Sequence, residues 1–474
     1  MKNAFEPFRL FLTKNSDRAV YRFYPDRLNN SADLFRKKFP NIQPYYAVKA
    51  NNHPKIISQL SSLGFSFDCA SLKELKMWGV TKAERLCFSS LRRQSSVPPM
   101  FCSHRRKATQ TLGLPPLTSS PHSPITSSTY TPLTPLALFG KFMGGYPPPI
   151  FANPFKMASH LRYANKHGIN LMTADCVEEL EKISQYHPNA EVLLRIAVDD
   201  SKSICKFNKK FGLVPSYDNL EKIFSNKYSK GIKKVGVSFH VGSGCLSADS
   251  YTDAILKSRY VFDFAKKYGL NFNILDIGGG FIQKEPILTE VSDAVQSSLQ
   301  KYFGSESSHF KIIAEPGRFM VANVADLYVK VIGKKAESQG IKYYINSSVY
   351  GAFNCKVFDY ATFQFDIYRK KSIHAEGMPE TLCIKKDSQG IWRDTGFSTT
   401  PVMGKNSTVF GATCDSLDVI LENVSIPELE IGDYLCFRDM GAYTYSASSE
   451  FNGIRHPLVY YRDAFTWCPQ IMSP

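Results

Sequence analysis

Lys49, Asp68, Arg195, His240, Gly278–Gly280 and Glu315 all stand at or just past the ends of short apolar runs. Lys49, in YAVKAN, projects an amine from the end of such a run, and a strand-end amine of lowered pKa condenses with an aldehyde to a Schiff base. Gly278–Gly280 follow ILDI. Consecutive glycines let backbone amides approach an anion closely, as phosphate-binding turns require. Glu315 and Arg318, in EPGR, put a carboxylate and a guanidinium on one turn. That pair suits a cofactor with a ring nitrogen to keep protonated and a phosphate to hold. His240, in SFHVGSGC, ends an apolar run where its ring is placed to stack on an aromatic one, and Ser243 with its flanking glycines adds phosphate donors. Each alone has an ordinary reading: a solvated lysine, a glycine-ended strand, a surface ion pair, a core histidine. Their common placement is what points to one site.

The elements that must position these groups are β-type runs alternating with helical-period stretches, the pattern of βα units around a parallel sheet. The runs are PYYAVKA (44–50), FSFDCA (65–70), one of RLCF (85–88) or PIFA (149–152), INLMTA (169–174), EVLLRIA (191–197), KVGVSFHV (234–241), FNILDIGGG (272–280) and FKIIAEPG (310–317). Eight such runs predict a closed (β/α)8 barrel, with a doubly wound sheet as the alternative, and barrel chemistry sits at strand C-terminal ends. For the third strand PIFA is favoured, because it runs directly into ANPFK and a following helix. After Phe319 the texture changes to short alternating runs such as ADLYVKVIG, KYYINSSVYG, DVILENV and DYLCFRDMG, which predict a second, all-β domain. The expected division is an N-terminal segment 1–40 that partly joins the β domain through AVYRFY, a barrel over 41–318 and a β domain over 319–474.

From about Ser89 to Pro149 the chain is rich in Ser, Thr and Pro and contains no Asp or Glu. Such a composition buries too little apolar surface to offset the entropy of ordering, so disorder is expected there. It fits either a basic, phosphorylatable regulatory loop or sequence foreign to the mature protein. The formal charge of +16 over 474 residues is spread through amphipathic segments and matches no nucleic-acid module, so solvated helix faces account for it. Neither a nucleic acid nor a membrane is an expected partner: no 18-residue uncharged apolar run occurs, and MKNAFEPFRLFLTKN lacks a signal-peptide core. Eleven scattered cysteines without a CxxC pair or zinc-ligand spacing imply reduced thiols, no metal and a cytoplasmic setting.

YAVKAN (46–51), FDCASLKEL (67–75), FANPFK (151–156), LRIAVDDSK (194–202), FHVGSGC (239–245), LDIGGGF (275–281), EPGRF (315–319), GATCDSLD (411–418) and MGAYT (440–444) together resemble the eukaryotic ornithine decarboxylase family. That family belongs to the alanine-racemase-like, fold type III enzymes that use pyridoxal 5'-phosphate, and the likeness covers nearly the whole chain outside 89–149. The resemblance implies decarboxylation of L-ornithine to putrescine and CO2, with Lys49 bonded to the cofactor, Glu315 on its ring nitrogen and His240 stacked on the ring. It implies that Ser243, Gly278, Gly279, Gly280, Arg318 and Tyr443 hold the phosphate, and that Asp68 and Arg195, with Glu74 behind Lys49, line the other side. Decarboxylation leaves a carbanion at Cα; Cys414 is similar to the thiol that protonates it. Asp359 and Asp415 match the carboxylates that grip a distal amine, with Tyr350 nearby and Phe451 closing the wall. Cys414, Asp415 and Phe451 would come from a partner subunit, implying a homodimer with shared active sites, and a regulator similar to antizyme is a further implied partner. Lysine, arginine or diaminopimelate are alternative substrates, and a non-catalytic relative like the antizyme inhibitors is the alternative role. One departure is Asn346-Ser347-Ser348, where family members often carry Asn-Asp-Gly.

Overall fold

The computed structural model describes residues 6–15, 17–79, 147–226, 231–306, 310–370, 384–394 and 401–461. β1 (Val20–Phe23) precedes a run of parallel strands: β2 (Gln43–Ala47), β3 (Ser66–Cys69), β4 (Ile150–Phe151), β5 (Leu171–Ala174) and β6 (Glu191–Arg195). A short β7 (Ser203–Cys205) follows, then β8 (Lys233–Ser238), a short β9 (Ser243–Cys245), β10 (Ile274–Asp276) and β11 (Lys311–Ala314). Eight of these close into a barrel in the order β2-β3-β4-β5-β6-β8-β10-β11, β11 returning to pair with β2. All eight runs named from the sequence are there, with PIFA as the third strand. β4 pairs in parallel with β3 through Asp68↔Ile150 and Cys69↔Phe151, and with β5 through Phe151↔Met172. RLCF (85–88) and residues 89–146 of the stretch 89–149 expected to be disordered lie outside the described residues; at its end the Pro147 and Pro148 carbonyls accept from Ser66 Oγ, so the chain is already held there.

The helices follow from apolar spacing. In Ala248–Lys266 the buried positions Tyr251, Ala254, Ile255, Ser258, Val261, Phe262 and Ala265 recur at three- and four-residue steps, and in Ile287–Phe303 Leu288, Val291, Ser292, Val295, Ser298 and Leu299 do the same. Each stripe can bury only against a neighbour, and these two helices lie side by side.

The strands also run shorter than their apolar runs. β2 stops at Ala47 and the chain turns through a 3-10 step at Val48–Ala50, β10 stops at Asp276, and β11 stops at Ala314. Lys49, Gly278–Gly280 and Glu315 therefore sit on turns at the C-terminal rim.

The second sheet holds β12 (Ala325–Glu337), β13 (Gly340–Ile345), β14 (Phe365–Tyr368), β15 (Ile384–Lys386), β16 (Trp392–Asp394), β17 (Gly404–Phe410), β18 (Val419–Pro427), β19 (Tyr434–Phe437) and β20 (Leu458–Tyr461). Its order is β16-β15-β14-β19-β12-β13-β17-β18, and β1 joins it between β12 and β20. The long β12 starts immediately after the short helix Arg318–Val321 and the turn Ala322–Val324, so the end of the barrel feeds directly into the sheet. Contacts across that junction are buried: Asn51 Nδ2 donates to the Gly441 carbonyl at 2.8 Å, and the Tyr443 N–H donates to the Ala50 carbonyl at 2.7 Å.

Candidate active site

Period-two alternation decides what lines the rim. Tyr45, Ile150, Ala152, Leu171, Leu193, Val235 and Ile313 form a buried apolar cluster of their own, the barrel interior. Following the same parity toward the strand ends leads to Asp68 on β3, Arg195 on β6, Asp276 on β10, Glu315 beyond β11 and Lys49 beyond β2. An apolar layer thus fills the barrel and a charged layer caps it. The charged groups are close enough to alter one another's proton affinity: Lys49 responds to Asp68 and Glu315, and Arg195 to Glu315, Asp175, Asp276 and Asp68.

Lys49 Nζ donates to Asp68 Oδ2 at 2.7 Å; the carboxylate is fully buried, while the lysine side chain keeps 40% of its surface exposed. The lowered proton affinity expected from sequence is not what the site gives: burial works against the charge, but Asp68 and then Glu315 outweigh it and hold the ammonium above the ordinary lysine range. Glu74, expected behind Lys49, accepts the Ala70 N–H, and burial raises its carboxyl above the usual range.

Glu315 is 6% exposed, its Oε1 has no hydrogen-bond partner, and burial followed by the charges of Asp276 and Asp68 pushes its proton affinity well up. Asp276 lies fully buried, close enough for each carboxyl to alter the other's proton affinity, with Oδ1 accepting the Gly278 N–H at 2.9 Å and Oδ2 unpartnered. Burial raises Asp276 as well. Two neighbouring buried carboxyls resist ionising together, because the second charge is penalised by burial and by repulsion from the first. A protonated ring nitrogen supplies the positive charge this pair lacks.

His240 is held neutral, its proton affinity driven well down by burial and then by the cations Arg195 and Lys49. Its Nδ1 accepts the Gly242 N–H at 3.0 Å, which leaves Nε2 as the protonated nitrogen, and Phe207 meets the ring edge-on with centroids 4.9 Å apart. A Cβ at Gly279 would come within 2.9 Å of His240 Nε2 and 2.7 Å of the Glu315 carbonyl, so a side chain there forces these neighbours to shift. Gly280 has φ +104° and would meet the Gly242 carbonyl at 2.7 Å. Its carbonyl accepts the Cys245 N–H at 2.9 Å, tying the glycine turn to β9.

Arg318 Nη2 donates to Ser243 Oγ at 3.1 Å and to Asp359, while its Nε is buried without a partner. Burial disfavours the guanidinium charge, and Asp359 more than restores it. Tyr443, whose ring lies 4.9 Å from the guanidinium, takes φ +55°, a conformation fixed by its N–H bond to Ala50. The rim therefore presents a buried carboxyl oxygen without a partner on Glu315 and a buried guanidinium N–H without a partner on Arg318, the latter beside a serine. Those two orphaned atoms, with an accessible amine on the same rim, fit a phosphorylated aromatic cofactor bearing an aldehyde.

Lys49, Asp68, Glu74, Arg195, His240, Ser243, Gly278–Gly280, Glu315, Arg318, Tyr443 and Asp359 are brought to this rim. Tyr350, Cys414, Asp415 and Phe451 form a second group. The Tyr350 hydroxyl donates to Asp415, its ring lies 4.3 Å from that of Phe451, and the Cys414 N–H donates to Asn452 at 3.0 Å. The bond to Asp415 raises Tyr350, and the Leu417 N–H with Tyr350 lowers Asp415. Among the described residues, none of the four bonds to Lys49, Glu315, Arg318 or Asp359. Ser347 and Ser348 are buried; Ser348 Oγ accepts the Gly351 N–H at 2.9 Å, so the departure at this point builds its own turn ahead of Tyr350. Sequence reading missed Asp276, Cys205 and Ser446, whose hydroxyl donates to the Lys49 carbonyl at 2.7 Å. Asp276 alone carried a signal, an acid inside the apolar ILDI run.

Residues 26–97 and 143–322 match the pyridoxal binding domain of the pyridoxal-dependent decarboxylases. The ornithine decarboxylase of Schizosaccharomyces pombe is 35% identical over 434 residues, 90% of this chain and 79% of that one. Antizyme inhibitor 2 of Xenopus laevis is 34% identical over 442 residues, 90% of this chain and 77% of that one. The crystal structure of the arginine decarboxylase of Paramecium bursaria Chlorella virus, bound to agmatine, superposes with a TM-score of 0.71 at 27% identity, covering 96% of this chain and 99% of that one. With the rim geometry and these matches in agreement, the chain belongs to the ornithine decarboxylase family of pyridoxal-dependent decarboxylases.

Proposed function

We propose that the chain decarboxylates L-ornithine to putrescine and CO2 with pyridoxal 5'-phosphate as cofactor. The observation that carries this reading is the pairing of an accessible Lys49 amine with a buried, unsatisfied Glu315 carboxyl on one barrel rim. When bound, pyridoxal phosphate supplies an electron sink for the pair left at Cα as CO2 departs. Lys49 anchors it, and Asp68 orients the amine. Glu315, backed by Asp276, holds a proton at the ring nitrogen, while neutral His240 offers a flat face without adding charge. Arg318, Ser243, Tyr443 and the N–H groups of Gly278–Gly280 hold the phosphate dianion. Asp68 and Arg195 close the opposite side of the cleft.

Cys414 delivers a proton from Sγ to Cα, and Asp359 with Asp415 takes the distal ammonium, Tyr350 and Phe451 walling it in. Cys414, at the exposed second group, reaches this cleft from a partner subunit, so the active form is a homodimer with shared sites. Leu417 beside Cys414 and Asp415, and Phe358 and Tyr360 beside Asp359, are each more than 70% exposed and offer apolar side chains for such a partner to cover. The barrel is assigned to 41–318, the β domain to 319–474 with part of 1–40, and the setting to the cytoplasm, with an antizyme-like protein as regulator.

A regulatory relative without activity is the second reading, favoured by the likeness to an antizyme inhibitor. Against it, the charged rim is complete in this chain. Release of CO2 from ornithine, lysine, arginine and diaminopimelate, with cofactor added, tests the proposal. Ornithine is expected to react at least about tenfold faster than the others, the discrimination that a difference of one methylene in reach allows; equal rates, or none, contradict it.

A further inference from the structure

The short ribbon β7–β9 does more than connect. Its antiparallel register sets Cys205 opposite Ser243 and Ser203 opposite Cys245, so one ribbon carries a donor near Arg318 on one strand and a thiol on the other. Cys205 Sγ lies 3.3 Å from Asp359 Oδ1, and Arg318 Nη2 reaches the same oxygen while also holding Ser243. Asp359 caps the end of the helix Asn354–Phe358 and is 9% exposed, so its carboxylate is steered by what it touches rather than by water. Both donors converge on Oδ1; among the described residues no donor meets Oδ2.

We propose that Cys205 is a positioning residue for Asp359, turning that carboxylate so that its second oxygen meets the substrate's distal ammonium. The inference rests on the role given to Asp359 above. Arg318 is a poor candidate for this task, because its charge cancels the very charge an ammonium needs and because Ser243 shares the same guanidinium nitrogen. A thiol orients the carboxylate while leaving its charge intact. Burial and then the bond to Asp359 push the thiol up to about 11, so it stays a protonated donor through the physiological range. The same ribbon supports the ring-stacking histidine, since the segment just after β7 brings Phe207 against His240. Distal-amine recognition and cofactor placement are therefore tied to one structural unit.

The test compares the cofactor-loaded protein with Cys205→Ala and Cys205→Ser. Losing the donor is expected to raise KM for ornithine and weaken equilibrium binding of 1,4-diaminobutane about fivefold, with kcat changed less than about twofold and cofactor retention unaltered. Serine, which keeps a donor, is expected to restore both within about twofold. Alanine and serine behaving alike, or a loss confined to kcat, overturns the proposal. A wild-type protein that ignores ornithine defeats the substrate reading and this one together; a wild type that turns it over while Cys205→Ala matches it defeats this one alone. A second readout needs no substrate and survives poor folding of the alanine variant. In Asp359→Asn the thiol loses its anionic acceptor, so alkylation of Cys205 by iodoacetamide at about pH 8 should quicken about fivefold; an unchanged rate shows that the two groups do not meet and overturns the proposal.

Discussion

Glu315 and Asp276 illustrate how a residue acquires chemistry from its depth. A glutamate on an exposed turn is ionised at neutral pH; this one is buried against a second carboxyl, and both are pushed toward their protonated forms. The folded state thus binds a proton that the unfolded chain releases near the ordinary glutamate value of about 4.3, so in cofactor-free protein this pair costs stability as pH rises above that value. Glu315→Gln removes the titration. Its unfolding free energy relative to wild type is expected to climb between about pH 5 and pH 7, by up to about 1.4 kcal/mol per pH unit; parallel stability curves contradict the assignment. Lys49 and Glu315 were legible from sequence because their types and strand-end positions suffice. Asp276 was not, because its role depends on lying next to Glu315, which appears only once β10 and β11 pair through Asp276↔Ile313.

Among the elements, the glycine turn after β10 makes the strictest demand. Gly279 keeps an ordinary φ, so alanine can adopt its backbone there, but the added methyl would press on His240 Nε2 and the Glu315 carbonyl. Gly279→Ala is expected to fold and to bind pyridoxal phosphate about tenfold more weakly, a loss of about 1.4 kcal/mol visible in an absorbance titration. Wild-type affinity shows that the turn does not face the cofactor. The barrel strands were readable from sequence because each is an apolar run of several residues between helices. β4, only two residues long, was readable because PIFA leads directly into a helix-forming stretch. The ribbon β7–β9 was not: each strand has three residues, with Ser, Cys and Gly in place of an alternating pattern, and its pairing depends on the packing of the rim.

For the whole molecule, the two clusters of site residues pose the question. Lys49 and Cys414 make no contact within the chain among the described residues, and Leu417, next to Cys414 and Asp415 in the second cluster, is exposed. If two copies share their sites, Lys49→Ala and Cys414→Ala homodimers are each impaired, while a mixed dimer has one site carrying both defects and one carrying neither. Mixing equal amounts after subunit exchange is then expected to recover about a quarter of wild-type activity, since half the dimers are mixed and each has one intact site. Activity no higher than the two variants measured separately contradicts shared sites. The two-domain layout was legible from the change of texture after Phe319. Partner contributions were visible only through the resemblance, because composition does not reveal which exposed apolar side chains are covered by a second copy.

Borohydride reduction of the protein loaded with pyridoxal phosphate, followed by peptide mass analysis, tests the central claim most directly. The phosphopyridoxyl mass is expected on Lys49 alone, and it should vanish together with the near-visible absorbance in Lys49→Ala. Label on another lysine such as the buried Lys156, or none at all, contradicts the account.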